Sequence, residues 1–218
     1  MTTLADRWRA AARAAGATAG DADLDAAGAE LLRRWSEPHR QYHDVTHLSA
    51  VLDVVDRFSD LARHPDRVRI AAWMHDAIYD PRALGEANET GSAALAEGLL
   101  TTLGAPADVT SEVARLIRLT AKHVTAEDDP DGELLCDADL AVLAGGGDRY
   151  AAYRAAIRRE YAHVSDDDFR TGRAQVLAAL LELPSIYRHA PLRAAWEQTA
   201  RANLRAELDA LAGGAPRS

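Results

Sequence analysis

An all-α domain is the fold class this sequence predicts. Apolar residues recur at spacings of three and four along almost the whole chain, the period of one helix face. The composition is rich in Ala, Leu, Arg and Glu, which lose little on entering a helix. No segment alternates apolar and polar residues in the way a half-buried strand requires.

Taken in order, the first helix is predicted over about 3–15 and the second over about 21–36. A polar, proline-containing turn, Glu37 to Asp44, leads to a third over about 45–60, with Asp44 as the cap of its first turn. Pro65 and Asp66 open a helix over about 66–78, and Asp80-Pro81 stops it. Helices over about 87–103 and 107–121 follow, then an acidic loop from Glu127 to Gly132. A short helix over about 133–144 ends at Gly145-Gly146-Gly147. The last three are predicted over about 148–163, 166–183 and 191–212, and Ser165-Asp166-Asp167-Asp168 sets carboxylates at a positive helix end. The terminal Gly-Gly-Ala-Pro-Arg-Ser is expected to fray. No repeat or linker interrupts the series, so residues 1–218 are read as one domain.

Composition narrows the function. Hydrophobic residues make up 48% and charged residues 27%, too apolar a mixture for a disordered chain. The balance of 25 basic against 34 acidic residues leaves a net charge of −9, which disfavours duplex nucleic acid and anionic membranes as partners. Cys136 is the single cysteine, so no intramolecular disulfide forms and no cysteine-based zinc site closes. No apolar run is long enough for a transmembrane helix, and the first sixteen residues read as a helix rather than a signal peptide. A cytoplasmic location is therefore expected. Neither a GxxxxGK[ST] phosphate loop nor a GxSxG nucleophile elbow occurs. The oligomeric state is not fixed by the sequence, which is compatible with a homodimer.

Four residues stand where a polar side chain needs a reason. His47 shares a helix face with Val51, Val54 and Phe58, and His75 shares one with Val68, Ala71 and Ile78. Asp76 follows at the end of the apolar run Ala71 to Tyr79, where a carboxylate is costly without a partner. Asp137 and Asp139 lie among Leu, Cys and Val. A lone histidine on an apolar face is usually a core residue. Two histidines and two carboxylates on three such faces instead make a mixed nitrogen and oxygen donor set suited to Mn, Fe, Co, Ni, Mg or Zn. Four protein donors on an octahedral ion leave two open positions, the mark of a catalytic site.

The order His, then His-Asp, then Asp resembles the HD-domain superfamily of metal-dependent phosphohydrolases. Four segments carry the likeness: Tyr42-His43-Asp44-Val45-Thr46-His47; Met74-His75-Asp76-Ala77-Ile78-Tyr79-Asp80-Pro81; Asn88-Glu89-Thr90-Gly91-Ser92-Ala93; and Asp137-Ala138-Asp139-Leu140-Ala141-Val142-Leu143-Ala144-Gly145. They resemble the YHxxxH, HD, NExxSA and DADLxxLG segments of HD phosphohydrolases, and the likeness spans residues of about 30–210. It implies an HD-type helical bundle of about eight to nine helices and one divalent ion held by His47, His75, Asp76 and Asp139. Asp139 is preferred to Asp137 because Ala138-Asp139-Leu140 fits the superfamily's last ligand context. Many binuclear relatives carry a histidine where this chain has Asn88, a departure that favours one metal and phosphomonoester over phosphodiester chemistry.

Around this set, Asp80 and Glu89 are the proton-transfer candidates, with a turn cap and a helix-dipole contact as their structural alternatives. His43 is placed either in the pocket or on a surface turn. His123 follows the amphipathic run ending at Thr120, beside Lys122, the only lysine, and is expected to orient a ligand or touch substrate. Arg40, Arg158 and Arg173 are candidate phosphate clamps, while Tyr150, Tyr153 and Tyr161 read as core or pocket wall. The expected activity is hydrolysis of a nucleotide or other small phosphorylated metabolite by metal-activated water, with Asp76, Asp80, Glu89 and His123 as catalytic groups. The alternative is a metal- and nucleotide-binding HD sensor without turnover.

Overall fold

The computed structural model describes residues 3–213; of the end expected to fray, Gly213 is the last residue of a helix and 214–218 lie outside the described residues. Among the described residues the chain is all-α, with ten α-helices and no strand. The ten match the ten helical segments marked by the sequence periodicity and exceed the eight to nine that the HD resemblance implies. No helix among the described residues is long and apolar enough to cross a membrane. The chain divides into two compact units, Met1–Asp139 and Leu140–Ser218.

The first unit holds α1 (Leu4–Ala14), α2 (Asp21–Trp35), α3 (Val45–Arg57), a 3-10 turn (Ser59–Leu61), α4 (Pro65–Met74), α5 (Ala87–Thr102), α6 (Ala107–Leu119) and α7 (Pro130–Asp139). Its axis is α4, where Val68 and the run from Ile70 to Met74 are all buried. A helix apolar on every side must be surrounded, and α1, α3, α6 and α7 pack around it. Trp8 and Trp73 meet edge to face at 5.6 Å, and the buried indoles of Trp8 and Trp35 donate to the carbonyls of Leu24 and Trp73 at 2.8 and 2.9 Å. Gly28 lets α2 approach α1: a Cβ there would fall 2.6 Å from Trp8 Cδ1.

Caps explain several boundaries. Asp44 accepts from Thr46 N and His47 N at 2.7 and 3.2 Å, satisfying the first turn of α3. Asp131, in the first turn of α7, accepts from Arg63 N, His64 N and His64 Nδ1 and so fixes the chain that enters α4. Two predicted ends are corrected. Of the acidic stretch expected to be a loop, 127–129 stay outside any helix, but Pro130 to Gly132 already form the first turn of α7, because Pro130 suits that position and Asp129 Oδ1 takes Gly132 N at 3.1 Å. The helix expected to reach residue 78 stops at Met74. There the carbonyls of Asp76 and Ala77 turn to Arg40, and Ile78 turns to Ser92.

The second unit holds a 3-10 segment (Leu140–Ala144), α8 (Gly147–Glu160), α9 (Asp166–Glu182) and α10 (Ala190–Gly213). Leu143, Ile157, Leu177, Tyr187, Leu192 and Leu204 form its core. Buried among its helices, Glu207 accepts from Arg173 Nε at 2.9 Å and from Tyr150 Oη at 2.6 Å, so these three buried side chains satisfy one another. Ser165 caps α9 through Asp168 N, as its position before three aspartates suggests.

Candidate metal centre

Three helix ends converge in the first unit. His47 lies in the first turn of α3, His75 caps α4, and Asp139 closes α7. Both imidazoles are buried. His47 Nε2 stands 3.3 Å from His75 Nε2 and 3.1 Å from Asp139 Oδ1, and His75 Nε2 stands 3.6 Å from that same oxygen. Donor atoms of this triad all lie within 4.8 Å of one another, a group able to hold a metal ion. Asp76 flanks it, with Oδ2 at 3.3 Å from His75 Nε2 and 4.0 Å from His47 Nε2. Donors about 2.1 Å from one ion stand about 3.0 Å apart at an octahedral right angle and about 3.4 Å apart in a tetrahedron, so the shorter separations are those of neighbouring ligands.

The hydrogen bonds prepare the donors. His75 Nδ1 lies 2.9 Å from the Ala72 carbonyl, which can only accept, so Nδ1 carries a proton and Nε2 can offer its lone pair to the centre. Asp139 divides its oxygens: Oδ1 faces the triad and Oδ2 faces His123 Nε2 at 2.9 Å. His123 reaches this position from the end of α6 with φ of 52°, in the left-handed region rare for a residue with a side chain. Its N–H closes onto Leu119 O at 2.8 Å.

The electrostatics favour charge on the carboxylates. Burial pushes the Asp76 and Asp139 carboxyls up, but the charge of His75 and the surrounding hydrogen bonds outweigh it and hold both below the usual carboxylate range. Burial keeps His47 low and neutral. His75 is also opposed by burial, yet the charges of Asp76 and Asp139 raise it well above an ordinary histidine. With His75 protonated, one negative charge of the two carboxylates remains unmatched by the two imidazoles, in a place that resists charge. A divalent ion suits the donor set, and its binding would displace the His75 proton, leaving two carboxylate charges to face the ion.

The structure sorts the remaining candidates. Asp137 is fully buried, and the carboxylate that meets the histidines is that of Asp139. The His43 ring lies 4.4 Å from Tyr79 and 5.6 Å from His47, against the centre. Glu89, in the first turn of α5, has a buried Oε2 without a hydrogen-bond partner. Burial raises its pKa, Asp76 and Glu86 raise it further, and His123 opposes them. Asp80 is not brought into this group: it is exposed, and its Oδ1 accepts from Arg82 N to close the turn at Pro81. Lys122 pairs with Glu86 at 2.7 Å and stays exposed.

Arg40 is not a phosphate clamp. Its guanidinium is wholly buried and donates to the carbonyls of His43 at 3.0 Å and Asp76 at 2.8 Å, packed 5.4 Å from the Trp35 and Tyr79 rings. Arg158 and Arg173 make their bonds within the second unit. The Asn88 amide bonds Asp80 at both ends, accepting from its N–H at 2.9 Å and donating to its carbonyl at 3.1 Å. Ser92, one turn on, accepts from Ile78 N and donates to Ile78 O. The segment from Asn88 to Ala93 thus pins the chain that leaves the His75-Asp76 doublet. The positioning roles of Arg40 and Asp131 were not anticipated: Arg40 sits in a turn, where no periodicity flags burial, and Asp131 in what read as an acidic loop. No family model, curated protein or solved structure matches this chain.

Proposed function

We propose that this chain is a metal-dependent phosphohydrolase of HD type that acts on a nucleotide or another small phosphorylated metabolite. The observation that carries the reading is the buried His47–His75–Asp139 triad with Asp76 at its edge. The same four residues give the ordered HD motif in the sequence. His47, His75 and Asp139 would hold the ion and Asp76 would complete the set. When bound, a divalent ion supplies Lewis-acid polarisation of a phosphoryl oxygen and a lowered pKa for water.

The residues divide the remaining work. His123 fixes the rotamer of Asp139 through Oδ2. Glu89, held toward its protonated form by burial and by Asp76, is the group suited to give a proton to a leaving oxygen. Asn88 is committed to the Asp80 peptide and unavailable to a second ion, which favours one metal and a phosphomonoester substrate.

The test pairs metal analysis with phosphate release on the full chain. Wild type is expected to hold about one Mn, Co, Ni or Fe ion and to release phosphate from nucleoside monophosphates or sugar phosphates. His75→Ala/Asp76→Ala loses both. Glu89→Gln keeps the metal and drops kcat by about 10²-fold or more. A wild type that stays metal-free after incubation with these ions overturns the reading. Retained metal and nucleotide binding without turnover assigns the sensor role instead.

A further inference from the structure

The second unit contains an arginine whose charge is not matched. Residues 151, 154, 155 and 158 share one face of α8, and with the first turns of α9 and the end of α10 they line a cavity of about 470 Å³. Four guanidinium groups lie on or beside it. Arg158 pairs with Asp166 at 2.7 Å, Arg170 pairs with Asp167, and Arg173 pairs with Glu207 at 2.9 Å. Arg154 has only a share of Glu207, at 3.6 Å. Both oxygens of that carboxylate are already taken by Arg173 and Tyr150. One negative charge thus serves two cations, and Arg154 is the surplus.

Apart from Asp166 and the buried Glu207, the rest of the lining is apolar: half-buried Phe169, with the Arg158 guanidinium 4.7 Å over its ring, half-buried Leu211, and exposed Ala151 and Ala155. Surplus guanidinium charge beside Phe169 and Leu211 selects a ligand with both an anionic and an apolar part. Guanidinium pairs with oxyanions through charge-assisted, often bidentate hydrogen bonds. We infer that this cavity binds a small organic oxyanion, a phosphate monoester or a carboxylate on an apolar body, with Arg154 as its principal contact. The site is built entirely from second-unit residues and does not depend on the proposed metal chemistry.

Calorimetric titration of the full chain tests this with phenyl phosphate, benzoate and inorganic phosphate as probes. At least one of the two aromatic probes is expected to bind more tightly than inorganic phosphate. Arg154→Ala weakens that binding about tenfold or more, Arg154→Lys restores part of it, and His47→Ala/His75→Ala leaves it unchanged. Because the Arg154 side chain is partly exposed, the variant should fold, and an unchanged helical spectrum checks this. Binding of phenyl phosphate alone assigns a phosphate head group, and binding of benzoate alone assigns a carboxylate. No binding of either aromatic probe at millimolar concentration overturns the proposal. So does binding that Arg154→Ala does not affect, or binding lost in the histidine variant, which would place it at the triad.

Discussion

Arg40 Nη1 donates to the main-chain carbonyl of Asp76 at 2.8 Å, joining the turn after α2 to the doublet that follows α4. Removing that guanidinium would leave the carbonyls of His43 and Asp76 buried without a donor. Arg40→Ala is expected to destabilise the chain by about 3–5 kcal/mol. Arg40→Lys keeps the charge without the planar fork. It should fold and bind metal about 10- to 100-fold more weakly, as happens when the support of a ligand is lost. Urea unfolding and metal titration of the two variants measure these effects. Wild-type metal affinity in Arg40→Lys would show that the contact does not position the site.

Ser92→Ala isolates the tie between α5 and the chain beyond the doublet. The hydroxyl serves both N–H and C=O of Ile78 from a fully buried position. Its loss should cost about 1–3 kcal/mol, read as a lower urea midpoint at constant m-value.

Ligand linkage gives a third expectation. An ion that binds only the folded chain stabilises it by about 2.7 kcal/mol at a free concentration a hundred times its Kd. Added Mn should raise the Tm of wild type, a chelator should reverse the rise, and His47→Ala/His75→Ala should show neither effect. An equal rise in that variant would locate the bound ion elsewhere.

Acid sensitivity can be assigned to one carboxylate near the start of α7. Burial pushes Asp129 up, but the bidentate Arg115 guanidinium, at 2.8 and 3.0 Å, and Gly132 N outweigh it and hold Asp129 below its ordinary value. A folded pKa that is depressed stabilises above the unfolded value and loses that stabilisation as pH falls through the folded one. The stability gap between wild type and Asp129→Asn should be widest near neutral pH and close below about pH 4. A gap that holds constant down to pH 3 would rule this contribution out.

The helical class and most helix starts were readable because they depend on local signals: Asp44, Pro65 and Ser165 each act on the turn they begin. His47 and His75 were visible because a polar group on an apolar face is locally anomalous; the same signal left Asp137 and Asp139 open, and only the resemblance of Ala138-Asp139-Leu140 preferred Asp139. Where the reading stopped short, the cause is non-local. α4 ends at Met74 because of Arg40 and Ser92, distant in sequence, and Asp131 fixes the entry to a helix that begins 66 residues before it.

α7 touches α4 at both extremities. Its first turn, through Asp131, receives the N–H groups where α4 begins, and its last residue, Asp139, meets His75 where α4 ends. Each helix has ten residues, so the two run side by side in the same direction over about 15 Å. They form a matched pair of rulers. One inserted residue in either would rotate its final donor by about 100° and break the alignment.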